Sequence, residues 1–281
     1  MFLINGEYYN DLGKVPISVI KSFLNHNYIE EVIRFENSNL IYWEQHYFQL
    51  MASMRIFRME IPPTFTPELL SKMIFKLISK CKINTDFLLV FIKAVKSFEV
   101  DKKNIIPESN YMINIEACES LVHSINDYVI DLYKDFRLCK NSFNINNEKN
   151  SIFSLGKVFA FENNIDDCII LNFESNVVCS CFGSIFFVYD NIIKTPKETG
   201  VDINNVYKKQ LIGLIKKNKN LMLLEEDISP FQIQKADEVF IVNLKYGIQN
   251  ISSYRKKQFS YKKTKNIIRG FFNLNLGFQE N

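Results

Sequence analysis

The sequence predicts an α/β (α+β) chain in two domains, and three observations carry that prediction. Continuous apolar runs of strand length, such as "FLLVFIKAV" (87–95), alternate with stretches of helical period. Several of the helical stretches carry their own start signals, which ties the period to real elements. Polar residues crowd one stretch, "RLCKNSFNINNEKN" (137–150), between two halves of similar mixed character. The expected organisation is an N-terminal α/β domain over 1–136, a connection over 137–150 and a C-terminal α/β domain over 151–281.

Taken in order, "FLINGEYYN" reads as a strand entering a turn at Asn5-Gly6. "SVIKSFLNHNYIEEVIRFENSNLIYW" reads as β-like stretches with a turn at Asn37-Ser38-Asn39. From Trp43 the period changes: Trp43, Tyr47, Leu50, Met54 and Phe57 recur at helical spacing until Ile61-Pro62-Pro63 stops them. "TFTPELLSKMIFKLISKC" is a second amphipathic helix, with Thr66 as N-cap and Pro67 in its first turn. "FLLVFIKAV", "NYMINIEACES" and "YVIDLY" continue as strands. Ser151–Phe161 suits a helix and "DDCIILN" a buried strand. "NVVCSCFGSIFFVYDNIIKTP" gives paired strands turning at Asp190-Asn191. "VYKKQLIGLIKKN" is an amphipathic helix, and Ser229-Pro230-Phe231-Gln232 has the form of a capping box opening another. "DEVFIVNLKYGIQNI" closes with a strand.

Composition excludes several classes. A formal net charge of +3 gives no wide basic field, so nucleic acid is not an expected partner. No apolar stretch approaches the ~20 residues that span a bilayer, and "MFLINGEYYNDLGK" has no signal-peptide pattern; the expected location is the cytoplasm. Three histidines and six cysteines without a CxxC pair argue against a zinc site. Cys179 and Cys181 alternate on a strand and so share one face, as small buried side chains in a reducing compartment, with a redox pair as the alternative. Nine glycines in 281 residues is less than half the usual share of about 7%. A phosphate cup built from glycine backbone is therefore not evident.

Three segments in chain order resemble the fold-type IV pyridoxal-phosphate enzymes, the D-amino-acid aminotransferase-like fold. That family includes branched-chain and D-amino-acid aminotransferases and aminodeoxychorismate lyase. "EQHYFQLMAS" (44–53) is similar to its E-x-H-x-x-R-L-x-x-S helix. "DDCIILNFESNVVCSCFGSIFFVYDNIIKTP" (166–196) resembles its long strand block, and "ADEVFIVN" (236–243) its A-D-E-V-F-x-T segment. The resemblance implies pyridoxal phosphate as cofactor and a dimer as the assembly.

Carried over residue by residue, it also implies that the chemical positions have changed. The Schiff-base lysine falls at Ile145, whose alkyl chain forms no imine. The arginine that clamps the phosphate is Gln49, and the glutamate facing the ring nitrogen is Cys179. The asparagine that follows is Ser184. The phosphate cup aligns with "NVYK" (205–208), where Val206 and the bulky Tyr207 stand. The A-D-E-V-F-x-T threonine is Val242, with Asn243 beside it, and "KSFLNHNYIEE" (21–31) has His26 and Tyr28 in place of two glycines.

The expectation is a catalytically degenerate homologue that has lost covalent cofactor binding and acts by binding a small molecule or a partner. The partner would be a second copy or an active relative. The alternative is a working aminotransferase or lyase using the displaced Lys149. Ordinary structural roles are the expectation for the rest: His46 as a packing or hydrogen-bonding residue, Lys140 as solvated, His123 without a visible partner in sequence, and Glu225-Glu226-Asp227 as a solvated loop. The basic run "YRKKQFSYKKTK" (254–265) reads as a solvated helix face with Tyr254, Phe259 and Tyr261 inward, with RNA or membrane contact as the sharper alternative.

Overall fold

A computed structural model describes residues 1–101, 104–119, 127–138, 151–197, 205–244 and 247–276. Ile145, Lys149, Lys140 and His123 lie outside these residues. The chain divides into two compact units, Met1–Glu119 and Ser120–Asn281.

In the first unit, β1 (Phe2–Ile4) and β2 (Glu7–Tyr9) form a hairpin. Asn5 (φ 48°) and Gly6 (φ 90°) both take the left-handed conformation that a two-residue hairpin turn requires. Helix α1 (Ile17–Asn25) follows, where the sequence suggested strand. Next come β3 (Tyr28–Glu36), β4 (Asn39–Leu40), α2 (Trp43–Ile56), α3 (Pro67–Cys81), β5 (Leu88–Asp101) and β6 (Asn104–Ala117). The strands make one antiparallel sheet in the order β2-β1-β6-β5-β3-β4. Thr66 caps α3 as its sequence implies, its Oγ1 accepting from the Leu69 N–H at 3.3 Å. Helix α2 ends before the two prolines. Arg58 turns left-handed (φ 50°), and the Met59 N–H reaches back to the Met54 carbonyl at 2.9 Å, which closes the helix at Ile56. Both helices press on the sheet: Leu50, Met51, Met54, Leu70, Ile74 and Leu77 share one core cluster with Ile29, Ile33, Val90, Ile92 and Ile113.

The second unit holds β7 (Val129–Leu132), α4 (Ser151–Glu162), β8 (Asp167–Leu171), β9 (Val177–Ser180), β10 (Ser184–Tyr189) and β11 (Ile192–Pro196). After these come α5 (Asn205–Lys217), β12 (Met222–Glu226), α6 (Pro230–Ile233), β13 (Glu238–Asn243), β14 (Gly247–Asn250), β15 (Ser253–Tyr254), β16 (Lys257–Gln258) and α7 (Lys262–Leu276). They build two five-stranded sheets, β12-β11-β10-β13-β14 and β16-β15-β7-β8-β9. The strand over 129–132 pairs in parallel with β8, so it belongs to the second unit. The units accordingly part at Glu119/Ser120 rather than across 137–150.

Period-two alternation explains how these sheets pack. From β8, Ile169 and Leu171 join Ile185 and Phe187 of β10 and Val239 and Ile241 of β13 in one core cluster. Cys168 and Ile170 face the other way, against Ile152 and Phe153 of α4. Phe186 and Phe240 stack on the remaining face of their sheet, 5.0 Å apart and nearly parallel. Every residue of β8 and β13 is buried, which is why those strands read as continuous apolar runs.

Two sequence expectations are corrected here. Ser229 makes no side-chain cap, and its helix is a single four-residue turn. The basic run does not begin as a helix: Tyr254 and Lys257 pair across a hairpin turned at Arg255 (φ 56°), and α7 starts only at Lys262. Tyr254 is buried and Phe259 partly so, whereas Tyr261 is exposed.

The start of α7 is fastened by Glu238 of β13. Its carboxylate accepts from the N–H groups of Lys263 (2.9 Å) and Thr264 (2.7 Å) and from the hydroxyls of Ser260 (2.9 Å) and Thr264 (2.7 Å). Burial works to raise its pKa, but these donors outweigh burial and hold it below the usual carboxylate value. Glu238→Ala is expected to cost about 1.5–3 kcal/mol, the usual range for bonds to a charged group. Because the folded pKa is lowered, that stabilisation is present above the ordinary glutamate range and is lost as pH falls through the lowered value. Urea titrations of both proteins at neutral and acid pH check this: the gap between them should narrow in acid.

Candidate functional site

The candidate positions divide between the two units. In the first unit, β3 and α2 bring three polar side chains together. Odd-numbered residues of β3 face the helices, which places Glu31 on the same side as core residues Ile29 and Ile33. A carboxylate there needs donors, and α2 supplies them from positions three residues apart, on one helical face. His46 Nδ1 lies 2.5 Å from Glu31 Oε1, with both residues buried. Gln49 donates from Nε2 to both oxygens of the same carboxylate, at 3.1 and 3.3 Å. The side chain at the expected phosphate-clamping position is thus turned onto a buried carboxylate of its own unit. His46 takes the hydrogen-bonding role expected of it, and Glu31 is the member of the group that the residue-by-residue reading passed over.

On the opposite face of β3, Arg34 and Glu36 form a fully buried ion pair at 3.0 Å, and Arg34 also donates to the Glu119 carbonyl. Further along that face Glu30 pairs with Lys93 across the strands, at 3.2 Å.

In the second unit, Ser184 and Val242 are direct cross-strand partners on β10 and β13. Asn243, one residue on, donates to the Phe182 carbonyl in the β9–β10 turn. These three expected positions therefore stand together. That turn is tight: a Cβ on Gly183 would lie 2.2 Å from the Val242 carbonyl oxygen, so only glycine fits. Cys179 is fully buried on β9, in the cluster that packs against α4. Val206 and Tyr207 are buried in the first turn of α5. Beside them Lys208, 2% exposed, donates from Nζ to the Pro196 carbonyl at 2.9 Å and closes the end of β11 onto α5. Glu225, Glu226 and Asp227 are engaged rather than simply solvated, pairing with Lys216, Lys194 and Lys197.

At the described positions where the resemblance expects contacts to pyridoxal phosphate, this chain carries other side chains. Gln49 offers an uncharged amide already held by Glu31, and Cys179, at the position where the resemblance expects a carboxylate, is a buried thiol. Tyr207, at the position expected of the phosphate cup, is a buried aromatic side chain. No helix among the described residues is long and apolar enough to cross a membrane.

Residues 153–254 match the family model for amino-transferase class IV. Curated relatives include the D-alanine aminotransferase of Listeria monocytogenes, 22% identical over 219 residues, which covers 76% of this chain and 73% of the relative. Among solved structures, the branched-chain aminotransferase of Thermoproteus uzoniensis superposes with a TM-score of 0.82 at 19% identity, covering 99% of this chain and 95% of the other. The branched-chain amino acid aminotransferase of Thermobaculum terrenum gives a TM-score of 0.82 at 16% identity, covering 98% of this chain and 94% of the other. The class IV sequence pattern thus lies in the second unit, over residues 153–254, and the fold of these solved aminotransferases runs along the whole chain.

Proposed function

We propose that this protein is a catalytically degenerate fold-type IV homologue, which acts by binding a small molecule or a partner rather than by imine chemistry. The observation that carries the reading is the pairing of Gln49 with Glu31. At the position where an arginine would make a charge-assisted contact with phosphate, an uncharged side chain is tied to a carboxylate that would itself repel phosphate. Ile145, Cys179 and Tyr207 support it from sequence: an alkyl chain stands at the position expected of the lysine, a thiol at that of the carboxylate, and a bulky aromatic at that of the phosphate cup. The alternative, an active aminotransferase or lyase using Lys149, differs in one measurable respect. Incubation with excess pyridoxal phosphate, borohydride reduction and peptide mapping are expected to give only trace labelling spread over surface lysines. Stoichiometric labelling at Lys149, abolished together with transaminase activity by Lys149→Ala, would establish the alternative.

A partner is part of the proposal. Ile17 and Leu24 on α1, and Phe48 and Ile56 on α2, are large apolar side chains left exposed in the first unit. Apolar exposure of this kind favours association with a second copy or with an active relative. The cytoplasm is the proposed location. Light scattering of the protein alone and mixed with class IV relatives should report a dimer; a strict monomer at high concentration in every mixture removes both versions.

A further inference from the structure

We propose that Cys168 and Cys181 form a reversible dithiol–disulfide centre, oxidised by small peroxides, in which Asp167 accepts the thiol proton. The site lies on β8 and the end of β9, under α4, and it is independent of the ligand reading above.

Strand register creates it. Ile169 pairs with Ser180, so Cys168 stands directly opposite Cys181, whose N–H donates to the Cys168 carbonyl at 2.9 Å. Opposed residues bonded in this way have Cα atoms about 5.5 Å apart, inside the ~4.4–6.8 Å span that a disulfide bridges. The sulfurs are already 3.3 Å apart in a thiol–thiol hydrogen bond, and Cys168 also donates to the Gly156 carbonyl at 3.3 Å. Closure to the ~2.05 Å of a disulfide therefore needs only side-chain rotation and a small strand adjustment. Gly156 makes the space: a Cβ there would stand 2.2 Å from the Cys181 sulfur. Cys179, the other thiol on this face, is opposite Ile170 and has no cysteine across from it, so the pair is Cys168 with Cys181 rather than Cys179 with Cys181.

Buried thiols far from positive charge are ordinarily inert, because the thiolate is the nucleophile. Cys181 is held strongly protonated by its hydrogen bond to Cys168 and by burial. A nearby base is therefore required, and a carboxylate oxygen of Asp167 lies within 4.8 Å of both sulfurs. Asp167 is fully buried, and burial pushes its pKa up to about 7, which makes it a far stronger base than an exposed carboxylate. The other titratable groups that bear on the thiols are Lys157 of α4 and Tyr133 just beyond β7.

The chemistry balances with peroxide as the oxidant. One thiol gives its proton to Asp167, and its sulfur takes an oxygen from the peroxide O–O bond, leaving a sulfenic acid and, after protonation, one water. The second thiol gives its proton to Asp167, its sulfur bonds to the first, and the sulfenic oxygen leaves as a second water. Two thiols are oxidised and one peroxide is reduced. A thiol reductant reverses the bond by exchange.

Treatment of the native protein with hydrogen peroxide, alkylation and non-reducing peptide mapping tests this. The expected result is a Cys168–Cys181 linked peptide two hydrogen masses lighter than its parts, restored by dithiothreitol and missing in Cys168→Ser and Cys181→Ser. Asp167→Asn, which keeps an oxygen acceptor at the site, should slow closure by about 10²-fold and abolish its rise with pH near 7. Oxidation confined to other cysteines, with Cys168 and Cys181 still fully alkylated after denaturation, overturns the centre in the wild-type protein itself. Closure of Asp167→Asn with wild-type rate and pH profile overturns the role given to Asp167.

Discussion

Arg34→Met is expected to destabilise the first unit by about 3–5 kcal/mol, the usual cost of leaving one member of a buried ion pair alone. Both side chains are inaccessible to solvent, and Arg34 Nε donates to Glu36 Oε2 at 3.0 Å. Without the guanidinium, the Glu36 carboxylate would keep its charge in a place that water does not reach, and the Glu119 carbonyl would lose a donor. A domain's whole stability is only about 5–15 kcal/mol, so the variant should be close to unfolding at 37 °C. The double variant Arg34→Met/Glu36→Leu removes both charges and is expected to recover most of the loss. Chemical denaturation of the two single variants and the double decides the matter. Equal losses in single and double variants would mean that packing of the arginine stem, not charge pairing, holds this face of β3.

What could be read from the sequence was what a local signal encodes. Thr66 and Pro67 announce α3 because a cap is a contact between residues three apart. Asn5-Gly6 and Asp190 announce hairpins because their positive φ is a property of those residues themselves. Helix α1 was not legible: its N-terminal flank is Pro16, with no capping side chain, and "ISVI" is as well suited to a strand. Ser229 shows the reverse error, a box pattern whose cap bond does not form because its helix lasts a single turn. The replacements expected at Gln49, Cys179 and Tyr207 rest on alignment to a motif alone. Their consequences were not legible. Gln49 meets Glu31 across 18 residues only because α2 packs on β3, and Cys168 meets Cys181 only once the β8–β9 register is known.

Asp167→Asn is expected to stabilise the protein at neutral and higher pH, by as much as a few kcal/mol. The Asp167 side chain is fully buried, and its Oδ1 accepts from the backbone N–H groups of Cys168 at 2.6 Å and Cys181 at 3.0 Å. Those two bonds favour the charged form, but burial outweighs them and lifts the pKa from 3.8 to about 7. Between those values the unfolded chain has released this proton and the folded chain still holds it. The unfolded state then binds fewer protons, so stability falls as pH rises. Each tenfold weakening of an acid on folding corresponds to about 1.4 kcal/mol, which makes the penalty above pH 7 roughly 4 kcal/mol at its upper limit. Asparagine keeps an oxygen for both N–H groups and carries no charge at any pH, so it removes the slope together with the penalty. Unfolding free energies of the two proteins at several values between pH 4 and 8 isolate the effect, because every other titrating group cancels in the difference. The difference should be small near pH 4 and grow in favour of asparagine up to about pH 7. A constant difference across the range would mean that Asp167 stays ionised in the fold, its charge satisfied by the strand-end amides rather than withheld by burial.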